Sequence, residues 1–246
     1  MDDRRIPASG GYTRRVTARH ETPTRGWFIT IEGPEGSGKT TQAARLLAYL
    51  DGLGKRAIGT REPGGTALGE RIRDLLLEIA DRAHDPLADA LLFSAARRQL
   101  VEEVIRPALL AGTTVVCARF ADSTLAYQGH GSGLPLDDLR ALERVATGGL
   151  RPDLTILLDV PPEVGLRRKA PDDRTRFELA FDIDFHRRVR DGFLALAAAE
   201  PDRFAVVDAA AGAGAVWEAV RSAVDRLTAS PRAGGEPERA GERIQR

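Results

Sequence analysis

Gly33-Pro34-Glu35-Gly36-Ser37-Gly38-Lys39-Thr40 matches the spacing G-x-x-x-x-G-K-[ST] of a phosphate-binding P-loop. Its flanks agree. Trp27-Phe28-Ile29-Thr30-Ile31 reads as a short buried strand, and the segment from Thr41 to Leu50 as a helix. In a strand–loop–helix setting the glycines let backbone N–H groups close around phosphate oxygens, and the helix N-terminus adds partial positive charge. Residues 33–41 are therefore the expected cradle of a nucleoside triphosphate: Gly33, Pro34, Glu35, Gly36, Ser37, Gly38, Lys39, Thr40 and Thr41. Lys39 is expected at the β- and γ-phosphates, and the Thr40 hydroxyl in the shell of a Mg²⁺ ion. A Gly-rich turn meeting the pattern by chance would need neither the strand before it nor the helix after it.

Working outward, strand-like runs fall at 27–32, 55–60, 113–118, 153–159 and 204–207. Helical patterns separate them at 39–52, 67–80, 86–110, 135–147, 162–169, 182–199 and 213–228. Such alternation calls for a parallel sheet covered on both faces, a three-layer α/β/α fold with five strands. The run Leu154-Thr155-Ile156-Leu157-Leu158 is what a strand buried on both sides looks like.

Composition sets the limits. The chain has 246 residues, 42% apolar and 29% charged, with a formal net charge of zero. That is ordinary for a globular protein, and no global field draws it to nucleic acid or a membrane. No apolar run approaches the eighteen or so residues that span a bilayer. The one cysteine, Cys117, sits in an apolar run and reads as a buried small hydrophobe; with no disulfide possible within the chain, a cytoplasmic location is expected. Of 36 basic residues only Lys39, Lys55 and Lys169 are lysine, and one of the three stands where the P-loop needs it. Residues 1–25 are Arg-rich, carry Asp2-Asp3 and lack periodicity; residues from about 229 onward are polar and rich in Pro and Gly. Both are expected to be disordered tails around one domain, 26–228.

Ligands of parallel sheets sit at the carboxyl ends of the strands. After the second strand stands Thr60-Arg61-Glu62-Pro63-Gly64-Gly65-Thr66, and after the third Ala118-Arg119-Phe120-Ala121-Asp122-Ser123-Thr124-Leu125-Ala126-Tyr127-Gln128-Gly129. Phe93 and Arg97, four apart on a helix, share a face. Alone, Phe93 would read as core and each arginine as a solvated charge. Together they supply an aromatic platform and arginines suited to bidentate phosphate recognition.

The segments TREPGGT (60–66), LLFSAAR (91–97), STLAYQ (123–128) and LRPDLTILLDV (150–160) resemble the thymidylate kinase family, a likeness running over 27–228. The resemblance implies transfer of the ATP γ-phosphoryl group to dTMP, with Mg²⁺ as cofactor, in a homodimer. It implies that Phe93 stacks on thymine, that Arg97 contacts the base or acceptor phosphate, and that Arg61 and Arg119 hold that phosphate. Gln128 and Ser123 would bond the base and sugar, Glu35 the 3′-hydroxyl, and Asp159 would help organise Mg²⁺. A short lid is implied at about 167–181. Some members carry an arginine directly after the loop carboxylate. This chain has Gly36 there, which implies that the catalytic arginines come from the lid: Arg168, Arg174 and Arg176.

One position departs from the family's pattern: Ala118 stands where an Asp usually precedes Arg119. Asp122 lies four residues on as a possible substitute. The departure admits two other readings, a nucleotide-binding protein of reduced or no activity and a kinase of another nucleoside monophosphate or of a deoxynucleoside.

Overall fold

The computed structural model describes residues 25–77, 85–169, 175–179 and 181–229. Both expected tails lie outside these, apart from Ala229, which ends a helix, and Arg25, whose guanidinium reaches Asp153 at 3.3 Å. Residues 170–174 of the expected lid lie outside them as well.

Five strands, β1 (Phe28–Glu32), β2 (Ala57–Arg61), β3 (Thr114–Ala118), β4 (Leu154–Asp159) and β5 (Phe204–Asp208), form one sheet in the order β2-β3-β1-β4-β5. Every pairing is parallel, with Ile31 opposite both Ala118 and Ile156. The P-loop strand is therefore central. The segments after β2 and after β5 lie at opposite edges of the same carboxyl end.

Side chains alternate across each strand. Ile29, Ile31, Val116, Ile156 and Leu158 face α1 (Lys39–Gly52) and α10 (Ala213–Ala229), packing with Leu46, Leu50, Val220 and Val224. On the other face Phe28, Val115 and Cys117 pack with Leu100, Val101, Ile105 and Leu109, and Leu157 packs with Phe185, Val189 and Phe193 of α9 (Ile183–Ala199). Two apolar faces on one sheet require two helical layers, which is why the near-continuous apolar strands foretold the architecture.

The expected single helix over 86–110 is interrupted. It runs as α3 (Pro86–Leu100), a π-helical turn (Val101–Ile105) and α4 (Arg106–Leu110). Pro107 has no N–H for the carbonyl four residues earlier, so the ladder widens before it. The start is as the sequence suggests: Asp85 caps α3, accepting from the N–H groups of Leu87 and Ala88, with Pro86 at the first position. The segment after β3 differs more. It is helical, as α5 (Ala121–Thr124) and a π-helical turn (Leu125–Gly131), where no helix was expected. Two glycines in seven residues hide that periodicity, and tertiary packing overrides the propensity.

Leu46 is fully buried between α1 and the sheet. Leu46→Ala is expected to cost about 3 kcal/mol of stability, read as a lower denaturant midpoint, while activity at room temperature persists.

Candidate functional site

A cavity of about 770 Å³ opens at the carboxyl end of the sheet. Its centre is the P-loop. Its β2 edge is lined by Arg61, Glu62 and Pro63, with Arg73 and Leu77 of α2 (Ala67–Leu77) and Phe93 of α3; its β5 edge by Ala209, Ala211 and Ala213, with Val216 of α10. Between them stand Ala118, Arg119, Ser123, Thr124, Tyr127 and Gln128 from the β3 side, and Arg168, Lys169, Thr175 and Phe177 from the lid side.

The loop itself is built on glycine. Gly36 has φ +66°, and a Cβ there would meet the Gly165 carbonyl oxygen at 1.9 Å. Gly165 belongs to α7 (Pro162–Arg168). This helix, which leads into the expected lid, thus rests backbone to backbone on the P-loop, which leaves no room for an arginine at 36. Glu35 and Gly36 through Thr41 line the cavity, while the carbonyls of Gly33 and Pro34 accept from Lys39 Nζ at 2.9 and 2.7 Å. Burial and the neighbouring Arg119 depress Lys39 to a pKa of about 7, against the pull of Glu35 and Glu32.

Glu35 is the junction. Its Oε1 accepts from Arg119 Nη2 at 2.6 Å and from the Tyr127 hydroxyl at 2.8 Å, and Lys169 lies 3.9 Å from Oε2. Burial would raise its pKa, but Arg119, Lys39, Lys169 and the Tyr127 bond outweigh that and hold it well below the usual carboxylate range. The Arg119 guanidinium also lies over the Tyr127 ring at 5.0 Å. Phe93 is half-buried, with its ring 6.2 Å from Phe177. Arg61 is exposed and pairs with Glu70 at 2.9 Å. Arg168 donates to the Ala209 carbonyl at 2.9 Å.

Two expected site residues, Arg97 and Asp159, stand outside the cavity wall, and Asp122 is spent elsewhere. Arg97 does not line the cavity: it is 1% exposed, and its donors go to Glu62, Glu143, Thr124 Oγ1 and the Phe120 carbonyl. Every nitrogen of the fork is used, so in this arrangement Arg97 holds the cavity wall from behind. Asp159 ends β4 as expected, but Arg190 of α9 takes both its oxygens, at 2.7 and 2.8 Å, and Asp159 is not in the cavity wall. Each Asp159 oxygen accepts one guanidinium N–H in this arrangement. Asp122 does not stand in for a carboxylate at 118 either. It is buried and bound bidentately by Arg203, at 2.7 and 2.8 Å. Arg174 and the side chain of Arg176 lie outside the described residues.

The sequence reading missed several cavity residues. Arg73, Phe177 and the small residues 209–213 carry no motif of their own, while Thr124 and Tyr127 stand inside STLAYQ without a role read from it. It also missed Glu32, fully buried at the end of β1, which burial and Asp122 push up to a pKa of about 7. The expected dTMP-contact residues Arg61, Phe93, Arg119, Ser123 and Gln128 are all in the cavity wall, beside Glu35.

As for Mg²⁺, the described residues hold no group of three or more His, Cys, Asp or Glu side chains able to bind a metal. The Thr40 side chain is exposed in the cavity, and Glu35 is committed to cations and Tyr127. One hydroxyl fits an ion that arrives with phosphate and water oxygens already around it, as Mg²⁺ does, and does not fit an all-protein cage.

A family model described as thymidylate kinase matches residues 31–220. The thymidylate kinase of Deinococcus radiodurans is 57% identical over 190 residues, 76% of this chain and 90% of that protein. That of Thermomicrobium roseum is 54% identical over 211 residues, covering 83% of this chain and 99% of its own. Among solved structures, thymidylate kinase from Ehrlichia chaffeensis superposes with a TM-score of 0.65 at 34% identity, over 80% of this chain and 98% of that one.

The Asp122–Arg203 pair makes the role of Asp122 directly testable. Asp122→Ala should lower stability by about 3 kcal/mol, since it strands a mostly buried arginine. The Mg²⁺ concentration giving half-maximal rate should stay where it is; a shifted Mg²⁺ requirement at normal stability would return Asp122 to the metal.

Proposed function

Because the chain belongs to the thymidylate kinase family, we propose that the cavity at the end of its sheet holds ATP and dTMP head to head, ATP toward β5 and dTMP toward β2. The chain is a phosphotransferase of the nucleoside monophosphate kinase type, transferring the ATP γ-phosphoryl group to dTMP. One observation carries the assignment of halves: a single cavity has the P-loop at its centre, small residues at the β5 edge, and Phe93 with three arginines toward the β2 edge.

On the donor side, P-loop N–H groups and Lys39 hold the triphosphate. The adenine then lies over Ala209, Ala211 and Ala213, where small side chains leave room for a flat ring. Mg²⁺ would be held by Thr40 together with phosphate and water oxygens, and it supplies charge neutralisation at the β- and γ-phosphoryl oxygens. On the acceptor side, Phe93 stacks on thymine, Gln128 and Ser123 bond the base and sugar, and Glu35 takes the 3′-hydroxyl. Arg61, Arg73 and Arg119 face the acceptor phosphate. Phosphoryl transfer asks the protein for positioning and for cations around the spreading charge, with little covalent chemistry. Lys39, Arg119 and Arg168 supply the cations near the middle of the cavity, with Arg174 and Arg176 of the lid as the remaining catalytic arginines. Gly36 supports the lid as their source, because the packing of Gly165 excludes a loop arginine.

The homodimer implied by the family has a candidate face. Leu68 and Leu75 of α2 and Leu87 and Leu91 of α3 are each about half exposed on adjoining helices. No described helix is long and apolar enough to cross a membrane. The buried Cys117 thiol, whose pKa burial raises, fits the reducing cytoplasm that we assign to the enzyme.

The reading is tested by ADP release with ATP, Mg²⁺ and a panel of nucleoside monophosphates, where dTMP should be the preferred acceptor. Phe93→Ala should lower kcat/KM for dTMP by about 10- to 100-fold, since stacking on a base contributes roughly 1–3 kcal/mol, with KM for ATP unchanged. Equal loss on both substrates together with a lowered Tm would return Phe93 to the core.

Ala118 generates its own expectation. If a carboxylate at this strand end serves placement of Mg²⁺ or the acceptor phosphate, Ala118→Asp raises turnover by about tenfold, roughly 1.4 kcal/mol in the barrier. Slower turnover instead would mean that the new charge repels the phosphates and that the alanine is suited to this site.

A further inference from the structure

Arg119 has a left-handed backbone, φ 70°, the only such non-glycine residue among those described. The region is sparsely populated for a residue with a Cβ, and an outlier at a ligand cavity persists only where its surroundings over-determine it. Four contacts do so. The Arg119 N–H donates to the Ile31 carbonyl at 3.0 Å, and its carbonyl accepts from the Cys117 thiol at 3.0 Å. The other two come from one side chain: Glu32 Oε1 accepts the Phe120 N–H, and Oε2 accepts the Ser123 hydroxyl, both at 2.6 Å.

Glu32 itself is 0% exposed and is not in the cavity wall. Residue 118, opposite Ile31 in the register, contributes only a methyl group. The carboxylate that grips the turn therefore comes from β1, one strand across. A buried carboxylate is costly unless hydrogen-bonded, and the burial and the neighbouring Asp122 that raise the pKa of Glu32 display that cost. Its two oxygens spend their hydrogen bonds on the turn that carries Arg119.

We propose that Glu32 is a positioning residue for phosphoryl transfer, clamping the turn on the far side of Arg119 so that the strained backbone delivers the Arg119 guanidinium to Glu35 and to the acceptor phosphate. The proposal rests on the reading of Arg119 as an acceptor-phosphate residue. The same clamp joins β1, which carries the P-loop, to the β3 turn, which carries the acceptor contacts. The donor and acceptor halves are thereby registered to each other by one side chain beneath the cavity floor.

The test is a double-mutant cycle in steady-state ADP release, with Tm measured for each protein. Glu32→Asp keeps the charge but is one methylene too short to reach both Phe120 N–H and Ser123 Oγ. Glu32→Gln keeps the length and the Phe120 acceptor. Glu32→Asp is expected to lower kcat/KM for dTMP by about 30-fold, and Glu32→Gln by about fivefold, with KM for ATP unchanged within about twofold. In an Arg119→Ala background the same Glu32 changes should cost less than about threefold, because the group they position is gone. Equal fold losses in both backgrounds, or a lowered Tm with unchanged kcat/KM for dTMP, would overturn the proposal and leave Glu32 as a fold residue. An Arg119→Ala parent with wild-type kcat/KM for dTMP would sink the reading of Arg119 and the proposal with it. Should Glu32→Asp not fold, the Glu32→Gln cycle decides by the same comparison.

Discussion

The ion pair between Glu35 and Arg119 joins the two halves of the cavity, and much of the site depends on it. Glu35 belongs to the P-loop, which we assign to the donor phosphates, and Arg119 to the turn that we assign to the acceptor. At 2.6 Å, with Tyr127 on the same oxygen and Lys169 near the other, the pair is charge-assisted and only partly open to solvent. Such a pair gains little stability over an apolar contact of the same size. Its value lies in register. A guanidinium held by one carboxylate on a rigid loop has few places to go, and transfer between two phosphates tolerates little misplacement.

Around that pair the cations outnumber the carboxylates available to ligands. Lys39, Arg61, Arg73, Arg119, Arg168 and Lys169 line the cavity, against Glu35 and Glu62. Both are committed, Glu35 to Arg119 and Glu62 to the buried Arg97. Burial raises the Glu62 pKa to about 8, against the pull of Arg97 beside it. Two nucleotide anions enter such a space readily. Lys39 shows the complement: it donates to the Gly33 and Pro34 carbonyls, and burial, together with crowding by Arg119, weakens its hold on the proton.

Much of this was legible in the chain itself. The P-loop needs a strand, three glycines and a helix in fixed order, so eight residues announce both the chemistry and the local fold. Five apolar runs separated by helical periods announce the parallel sheet. TREPGGT and the Arg119 turn could be placed at the cavity because strand ends in such sheets border ligand sites, and Phe93 because it sits in the family segment LLFSAAR. The reading failed where a side chain's direction mattered. Arg97 and Asp159 stand near the expected places along the chain, yet their charges are spent on Glu62 with Glu143 and on Arg190, partners 35, 46 and 31 residues away. Helical spacing tells which face a residue shares and is silent on what that face meets.

The sequence by itself determined that this chain forms a wound α/β sheet around a P-loop and takes a nucleoside triphosphate, because local hydrogen-bond geometry and apolar periodicity are properties of neighbouring residues. Tertiary structure alone decided which charges are free. Glu32 ends the first strand-like run with no role attached to it, and in the fold it lies at 0% exposure, gripping the turn that carries Arg119. Gly36 stands out in the sequence only as the place where some family members have arginine, and in the fold it is the point at which α7 rests on the P-loop. Pairing, burial and backbone strain arise between residues tens of positions apart, and those distances close only when the strands take their places in the sheet.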